Sequence, residues 1–441
     1  MPTLPASDTL RAHVARLWPG LLLGVAVLVV LQLARGDQYW NYSEGVYLLT
    51  SRMLGDGADL YGHVIASQPP PMFVVGAGLL AIHDSIEWMR VAMGLLQLTA
   101  GVLGAVAVWR LTASRAAAIV TVPVSLLTPW AVHEHGLLTP EMFAGPLLLG
   151  GALMAGRRDR AAAVGVLAAL AASFKVPYVI PAVALVLVSA DRRRTALWAL
   201  GVFATGVAAS FAVFGSGLWT DVVSAQLDSG RLPFSLLKGM WAQAGWNLIG
   251  LLVAVALAWR LRGRARDPVL FRAVAAVAAG VLLTVMTNWK RGTGLNILVP
   301  VEATLVPLAM AGAAWGVESL REGVDRRARL FAAAAIAGVA LAVVQGASLA
   351  IDPYPKTLAH PWLRPGSSVA WAIGAREPQV DAIVAAARKC PPGVAYSNIP
   401  YYAFLAERRM PGDQPDRWIL EHSGVHRAEL ARVSADQPVC P

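Results

Sequence analysis

The chain alternates long apolar segments with short polar turns. A membrane-spanning helix needs about 20 apolar residues to cross a hydrocarbon core of ~30 Å. The apolar pattern therefore predicts transmembrane helices, alone or as hairpins, in the ranges 19–34, 91–109, 116–156, 161–190, 195–259, 268–320 and 330–351. The first polar stretch, 35–90, is too long for a turn, and it carries an amphipathic run in NYSEGVYLLTSRML at 41–54.

Arginines concentrate in the turns between the apolar segments. Cytoplasmic loops of membrane proteins are enriched in Lys and Arg, so we assign these turns to one side. An even number of crossings must then separate them, which predicts eleven spans, a cytoplasmic N-terminus and an external C-terminus. The clusters are Arg11/Arg16, Arg110/Arg115, RRDR at 157–160, DRRR at 191–194, RLRGRARD at 260–267 and REGVDRRAR at 321–329.

The segment 161–190 is the difficult case for this topology. Its length suits one long span, but a single span would place RRDR and DRRR on opposite faces. A hairpin would have arms of only ~22 Å, and short elements persist at membrane depth where they line a protein cavity. We therefore predict a short hairpin with Lys175, Pro177 and Pro181 near its tip.

The last part of the sequence differs in composition from the rest. Residues 352–441 combine helix-like segments with a strand-like GVAYS, which predicts a small C-terminal extracytoplasmic α/β domain after a transmembrane domain over 1–351. Both cysteines of the chain, Cys390 and Cys440, lie in this tail. A pair confined to an external domain favours a disulfide over two free thiols.

Composition supports the membrane assignment. The 441 residues are 56% hydrophobic and only 15% charged, whereas soluble domains carry about 25% charged residues. The net charge of +10 resides in the inter-helix turns, so it indicates orientation and not nucleic-acid binding. We predict an all-α polytopic membrane protein of about eleven transmembrane helices in the cytoplasmic (plasma) membrane.

This topology brings a set of ionisable residues together on the outer face. Such residues at membrane depth are costly, so each is a functional candidate. Lys and Arg match the charge of a lipid phosphate, and a carboxylate can take the proton from an attacking hydroxyl. The candidates are Asp37, Glu44, Glu141, Lys175, Lys290, Arg291, Asn296 and Glu302.

The same residues fit a known pattern. The stretch SEGVYLLTSRMLGDGADLYGHVIASQPPP resembles the first loop of the GT-C superfamily of integral-membrane glycosyltransferases, through Glu44, Tyr47, Gly55, Tyr61 and the prolines at 69–71. The acid in TPEMF, Glu141, and the late KRGTGLN followed by Glu302 suit the family as well. The chain departs from it in having Ser43-Glu44 where the family often has an acidic pair.

The resemblance implies an activity and a role for each candidate. It implies transfer of a hexose or pentose from a polyprenyl-phosphate donor to a glycan, lipid or protein acceptor in the cell envelope. Glu44 is the expected base and Asp37 its alternative, while Glu141 would orient the acceptor or bind a divalent metal such as Mg or Mn. Lys175, Lys290 and Arg291 would hold the donor phosphate, with supporting roles for Tyr47, Tyr61, Asn296 and Glu302.

Two other function classes stay open on the sequence. One is a transporter or flippase of a lipid-linked substrate, although the chain shows no convincing internal repeat, a common feature of transporters. The other is a non-catalytic scaffold of an envelope-assembly complex. Vesicle uptake without a covalent product would favour the former, and donor binding without turnover the latter.

Overall fold

The computed structural model describes residues 6–35, 42–287, 290, 295–322, 326–351, 378–391 and 400–436. These residues form helices and connecting turns, with no β-strand among them. The predictions for Asp37, Arg291 and Cys440, and for the strand-like GVAYS at 393–397, fall outside the described residues.

Fourteen helices precede the tail and four lie within it, in the described residues. The first group is α1 (Ala6–Arg35), α2 (Tyr42–Gly55), α3 (Pro70–Ile82), α4 (Ile86–Thr112), α5 (Arg115–Leu126), α6 (Pro129–His133), α7 (Glu141–Met154), α8 (Ala161–Phe174), α9 (Val179–Val188), α10 (Arg192–Phe214), α11 (Phe234–Arg260), α12 (Pro268–Thr287), α13 (Leu298–Arg321) and α14 (Arg326–Ile351). The tail holds α15 (Pro378–Arg388), α16 (Pro400–Ala406), α17 (Arg417–His422) and α18 (Arg427–Ala435). Short helical turns fill 217–228 between α10 and α11.

Seven of the described helices are long and apolar enough to cross a membrane: α1, α4, α10, α11, α12, α13 and α14. The protein is therefore a multi-pass membrane protein. Four further helices of the bundle, α5, α7, α8 and α9, have only 10 to 14 residues. The count of eleven spans stays a prediction, because these four helices are too short to cross ~30 Å alone.

The arginine-bearing turns lie together at one end of the bundle. The Arg110 guanidinium donates at 2.5 Å to the Asp267 carboxylate and at 2.5 Å to the carbonyl of Leu153. The Arg264 guanidinium donates to the carboxylate of Glu322 at 2.7 Å. These contacts join three of the clusters in space, as the topology from charge requires, and bring the first of them to the end of α7.

The segment 161–190 is a short hairpin, as predicted. The backbone N–H of Ala190 donates to the carbonyl of Ala155 at 2.7 Å, so the turns that carry RRDR and DRRR are neighbours at the same end. At the other end of the hairpin, α8 stops at Phe174, and Lys175 adopts an extended backbone with φ −158 and ψ 126. Pro177 then begins the next helical turn, so Lys175 occupies the tip.

The tail packs against the first outer loop. Helix α16 lies so close to α2 that a Cβ at Gly45 would come within 2.5 Å of the backbone nitrogen of Tyr401. Two turns further along α2, the Arg52 guanidinium donates to the carbonyl of Phe404 at 2.8 Å and lies 3.6 Å from the centre of its ring. Only glycine at position 45 permits this approach.

A second set of contacts fixes α17 and α18. The Gln414 side chain accepts from the N–H of Ile65 at 2.9 Å, and the Asp228 carboxylate accepts from the N–H of Val425 at 3.2 Å. The Asp221 carboxylate lies 3.3 Å from Nε2 of His426. The two-domain division therefore remains a prediction, and the described part of the tail is helical and seated on the outer loops.

One of the two cysteines predicted to form a disulfide lies among the described residues, and the pairing itself stays a prediction. Cys390 is buried and disulfide-bonded. Its only possible partner in the sequence, Cys440, lies outside the described residues.

The Asp221 contact generates a pH-dependent prediction. Burial raises the pKa of Asp221 to about 7, and the N–H of Ala66 at 3.1 Å only partly offsets it. Because the folded chain keeps this proton to a higher pH than the unfolded chain does, stability should fall as pH rises from about 4 to about 7. Asp221→Asn keeps an acceptor for Ala66 and cannot ionise, so its Tm should exceed that of the wild type at pH 8 and match it near pH 4.

The measurement is thermal unfolding of the detergent-solubilised protein, followed by tryptophan fluorescence at both pH values. Glu421→Gln, at an exposed carboxylate of the same tail, is the matched control and should leave the pH dependence unchanged. Equal pH dependence in the wild type and in Asp221→Asn would contradict the assignment.

Candidate functional site

A basic cavity of about 530 Å³ lies at the end of the bundle opposite the arginine-bearing turns. Three cationic side chains line it: Lys175, Arg231 and Lys290. Ser67, Gln68 and Gln226 add polar groups, and no carboxylate is among its described lining residues. The cavity is therefore suited to an anionic ligand.

Different parts of the chain deliver the three cations. Lys175 comes from the hairpin tip between α8 and α9. Arg231 and Lys290 lie in the outer connections that follow α10 and α12, and an antiparallel backbone bridge pairs the two residues directly. Side chains of bridged residues are about 5 Å apart at Cβ, which explains why two distant loops supply one charge cluster.

Lys290 is held between groups of the tail. Its ammonium lies 5.7 Å from the centre of the Trp418 ring, within the range of a cation–π contact. Burial and the charge of Lys175 lower the pKa of Lys290 to about 8, and the Asp416 carboxylate opposes this shift. The charge on this lysine therefore depends on its neighbours.

An apolar groove of about 310 Å³ adjoins the basic cavity. Both are lined by the same four residues, Pro69, Val176, Val222 and Val223, so the two spaces lie side by side. Beyond these, the groove runs along the outer half of α10, from Phe203 to Phe211, and past Leu218 and Trp219. The prolines at 69–71 set its upper wall and start α3. The combined space fits a molecule with an anionic head and an apolar chain.

Glu141 and Lys175 form a buried ion pair beside the cavity. Glu141 opens α7 and is fully buried, and its Oε1 accepts a hydrogen bond from the ammonium of Lys175. Its Oε2 has no hydrogen-bond partner among the described residues. Burial, together with the nearby Glu141 charge, raises the pKa of Tyr47 well above its usual range, so the Tyr47 phenol stays neutral next to this pair. The structure thus brings together the predicted Tyr47, Glu141, Lys175 and Lys290.

Glu44 is paired elsewhere. Its two carboxylate oxygens accept from the Arg90 guanidinium at 2.7 and 3.0 Å, and both side chains are almost fully buried. Glu44 is not among the described residues that line the basic cavity. The predicted role of Glu44 as the base stays a prediction, and its geometry is that of a buried bidentate ion pair between α2 and α4.

The remaining predicted residues have structural contacts. The Glu302 carboxylate accepts from the backbone N–H groups of Trp130 and Ala131 at 2.9 and 3.0 Å, at the first turn of α6. The Tyr61 hydroxyl donates to the carbonyl of Gln68 at 2.6 Å and steadies the loop beside the cavity. Asn296 is 9% exposed, and its side-chain oxygen has no hydrogen-bond partner among the described residues.

Three residues at or near the site are not among the candidates predicted from the sequence. Arg90 looked like an ordinary charge at the start of a span, and Arg231 was one of several charges in a long polar loop. Asp416 lies in a tail that shows no catalytic pattern. Only the pairing of distant segments shows their role. Arg90 alone has a signal in the sequence, because an arginine inside a membrane-spanning helix requires a buried acid as its partner.

Among the described residues, no group of three or more His, Cys, Asp or Glu side chains could hold a metal ion. The predicted role of a divalent metal such as Mg or Mn at Glu141 stays a prediction.

The pair between Glu44 and Arg90 generates a stability prediction. Removing one partner of a buried pair leaves an uncompensated charge and costs about 3–5 kcal/mol, whereas replacing both partners is often nearly neutral. Arg90→Met should therefore lower the Tm strongly, and the double variant Glu44→Gln/Arg90→Met should recover most of the loss. Thermal unfolding in detergent measures both.

The exposed pair between Arg157 and Asp159 is the matched control, because exposed pairs contribute little to stability. Arg157→Met should leave the Tm unchanged. A double variant as unstable as Arg90→Met would show that the charge imbalance is not the cause.

Comparisons with known proteins support one architecture. No family model matches the sequence, and no curated protein is similar to it at a significant level. Among solved structures, the chain is similar to ArnT from Cupriavidus metallidurans, crystallised with bound undecaprenyl phosphate, with a TM-score of 0.61 and 14% identity. The match covers 96% of this chain and 89% of ArnT, a GT-C glycosyltransferase. The chain therefore has a GT-C-like fold, as the motifs of its first outer loop predicted.

Proposed function

We propose that the protein is a glycosyltransferase that moves a sugar from a polyprenyl-phosphate donor to a cell-envelope acceptor at the outer face of the cytoplasmic membrane. The observation that carries the proposal is the basic cavity lying directly beside an apolar groove. A polyprenyl phosphate has an anionic head and an apolar chain, in the same order. The structural likeness to ArnT, crystallised with undecaprenyl phosphate, supports the same ligand class.

The donor phosphate would contact Lys175, Arg231 and Lys290, which line the cavity. The first isoprene units would lie in the groove along α10. None of the residues in the most hydrophobic 18-residue window of this helix is buried, so its surface faces the lipid. A donor in the outer leaflet can therefore reach the groove laterally.

The cations of the cavity would also act in the reaction itself. In the transfer, the bond between the anomeric carbon and the phosphate oxygen breaks, and a bond to the acceptor oxygen forms. Negative charge collects on the departing phosphate, which preorganised cations stabilise. The acceptor attacks from the opposite face, so the configuration at the anomeric carbon inverts.

The acceptor proton needs a base, and Glu141 is a buried carboxylate in direct contact with a cation of the cavity. It is bonded to Lys175, which lines the cavity, and its second oxygen is available. A donor phosphate competes for the Lys175 ammonium and loosens its hold on Glu141. Binding of the donor thereby prepares the base, which ties proton removal to an occupied site.

In this proposal Glu44, which the resemblance predicted as the base, acts indirectly by anchoring helix α2. Its ion pair with Arg90 fixes the first turn of α2, and Tyr47 lies one turn further along the same helix. The first-loop acid of the resemblance is kept here as an anchor of that helix. Asp37 and Arg291 retain their predicted roles as alternative base and further phosphate ligand, and Asn296 remains a supporting residue.

The test compares Glu141→Gln with the wild type in a deletion strain. Complementation is scored by mass spectrometry of the envelope glycans, and binding of purified protein to undecaprenyl phosphate is measured in detergent. Loss of a general base typically lowers the rate 10²–10⁴-fold. Glu141→Gln should therefore abolish the glycan product while its affinity for undecaprenyl phosphate stays within about twofold of the wild type.

The double variant Glu44→Gln/Arg90→Met is the matched control, because it neutralises the other buried acid without leaving a lone charge. It should retain measurable product. Full product from Glu141→Gln would exclude Glu141 as the base. Undiminished binding in both Lys175→Met and Lys290→Met would place the donor site elsewhere, and vesicle uptake without a covalent product would indicate a transporter.

A further inference from the structure

One acidic residue of the tail lies directly behind the basic cavity. Asp416 immediately precedes α17, and its side chain is only 5% exposed. One carboxylate oxygen accepts from the Ser67 hydroxyl at 2.5 Å, and the other accepts from the N–H of Ile419 at 3.3 Å. Ser67 lines the basic cavity, so a tail residue contacts a wall of the site.

The same turn of the tail also holds Lys290. Asp416 attracts the Lys290 ammonium electrostatically, and Trp418, two residues later, presents its ring to it at 5.7 Å. One short segment of the tail therefore gives Lys290 an aromatic face at 5.7 Å and a carboxylate that attracts it electrostatically. Among the described residues that line the cavity, the other charged side chains are the cations Lys175 and Arg231.

We propose that Asp416 is a positioning residue of the donor-phosphate site, acting through Lys290 and Ser67, and that the tail thereby completes this site. The identity of the ligand rests on the proposed function. The positioning itself depends only on the hydrogen bond from Ser67 to Asp416 and on the attraction between Asp416 and Lys290.

Electrostatics explains why such a residue is needed. Three cations around a cavity repel one another, and burial makes the repulsion costlier than in water. A carboxylate behind Lys290 offsets this repulsion without entering the cavity, where it would repel a phosphate. The lowered pKa of Lys290 agrees, because its causes are burial and Lys175, with Asp416 as the opposing influence.

The tail is anchored independently of Asp416. Asp228 accepts from the backbone of residues 424 and 425, and Gln414 bonds to the first outer loop. Helix α16 packs on α2 through Gly45. A change of charge at Asp416 should therefore leave the tail in place.

The test uses Asp416→Asn in the full-length protein. Asn caps helices as well as Asp does, so its single oxygen can keep the N–H of Ile419 and the start of α17 while the charge is lost. The Ser67 hydroxyl can turn to accept from the Asn amide, because a hydroxyl both donates and accepts. Affinity is measured for a polyprenyl phosphodiester, whose single charge stays constant, between pH 6.5 and 9.5. We expect about tenfold weaker binding at neutral pH, the scale of a lost contact to a charged group, and a loss of affinity with rising pH that begins lower than in the wild type.

Two further variants separate positioning from simple destabilisation. Lys290→Arg keeps its charge over the whole pH range. Adding Asp416→Asn to this variant should therefore lower the affinity by less than it does in the wild type, and it should not steepen the pH dependence of binding. Asp228→Asn, which loosens the tail without touching Lys290, should leave the pH profile unchanged.

The outcomes distinguish the role of Asp416 from the location of the donor site. Wild-type affinity and pH profile in Asp416→Asn would overturn the inference, as would an equal cost in the Lys290→Arg background. If neither Lys175→Met nor Lys290→Met weakens binding, the proposed donor site fails. If both weaken binding and Asp416→Asn does not, only the role of Asp416 fails.

Discussion

The ion pair between Lys175 and Glu141 joins two helices that are each too short to cross a bilayer. Helices α7 and α8 have 14 residues apiece, or ~21 Å at 1.5 Å per residue. Both start or end near the arginine-bearing turns, so their other ends stop below the outer surface of a core of ~30 Å. At that depth neither charge is tolerated alone, and the two must meet. The remaining features of the site lie around this meeting point.

The topology was accessible from the sequence because charge in the turns obeys one rule. The six arginine clusters predicted a common end, and the hydrogen bond from Ala190 to Ala155 shows that even the short segment 161–190 returns to it. Lys175 at its tip followed directly from that hairpin. Segment length and the position of charges can be read directly along a sequence, without knowing which residues contact each other.

The pairing of distant residues could not be read in the same way. Glu44 kept the spacing to Tyr47 that the family resemblance requires, yet its partner is Arg90, 46 positions away. Arg231 enters the site through a backbone bridge to Lys290, and Asp416 through a tail that carries no recognisable motif. In each case the deciding fact is which loops meet above the membrane, and neither periodicity nor composition determines that.

The tail connects these distant elements into one structure. Helix α16 covers α2, which carries Glu44 and Tyr47, while α17 supplies Asp416 and Trp418 to Lys290. The donor side of the site faces lipid along α10, and the tail covers the outer loops. In the proposed reaction this division would let the apolar donor chain and the acceptor reach the same anomeric carbon by different routes. A site formed below the outer surface by short helices, open to lipid on one side and roofed by a polar tail on the other, offers both routes. In this proposal Glu141 and Lys175, at the bottom of the site, separate only when a phosphate binds Lys175.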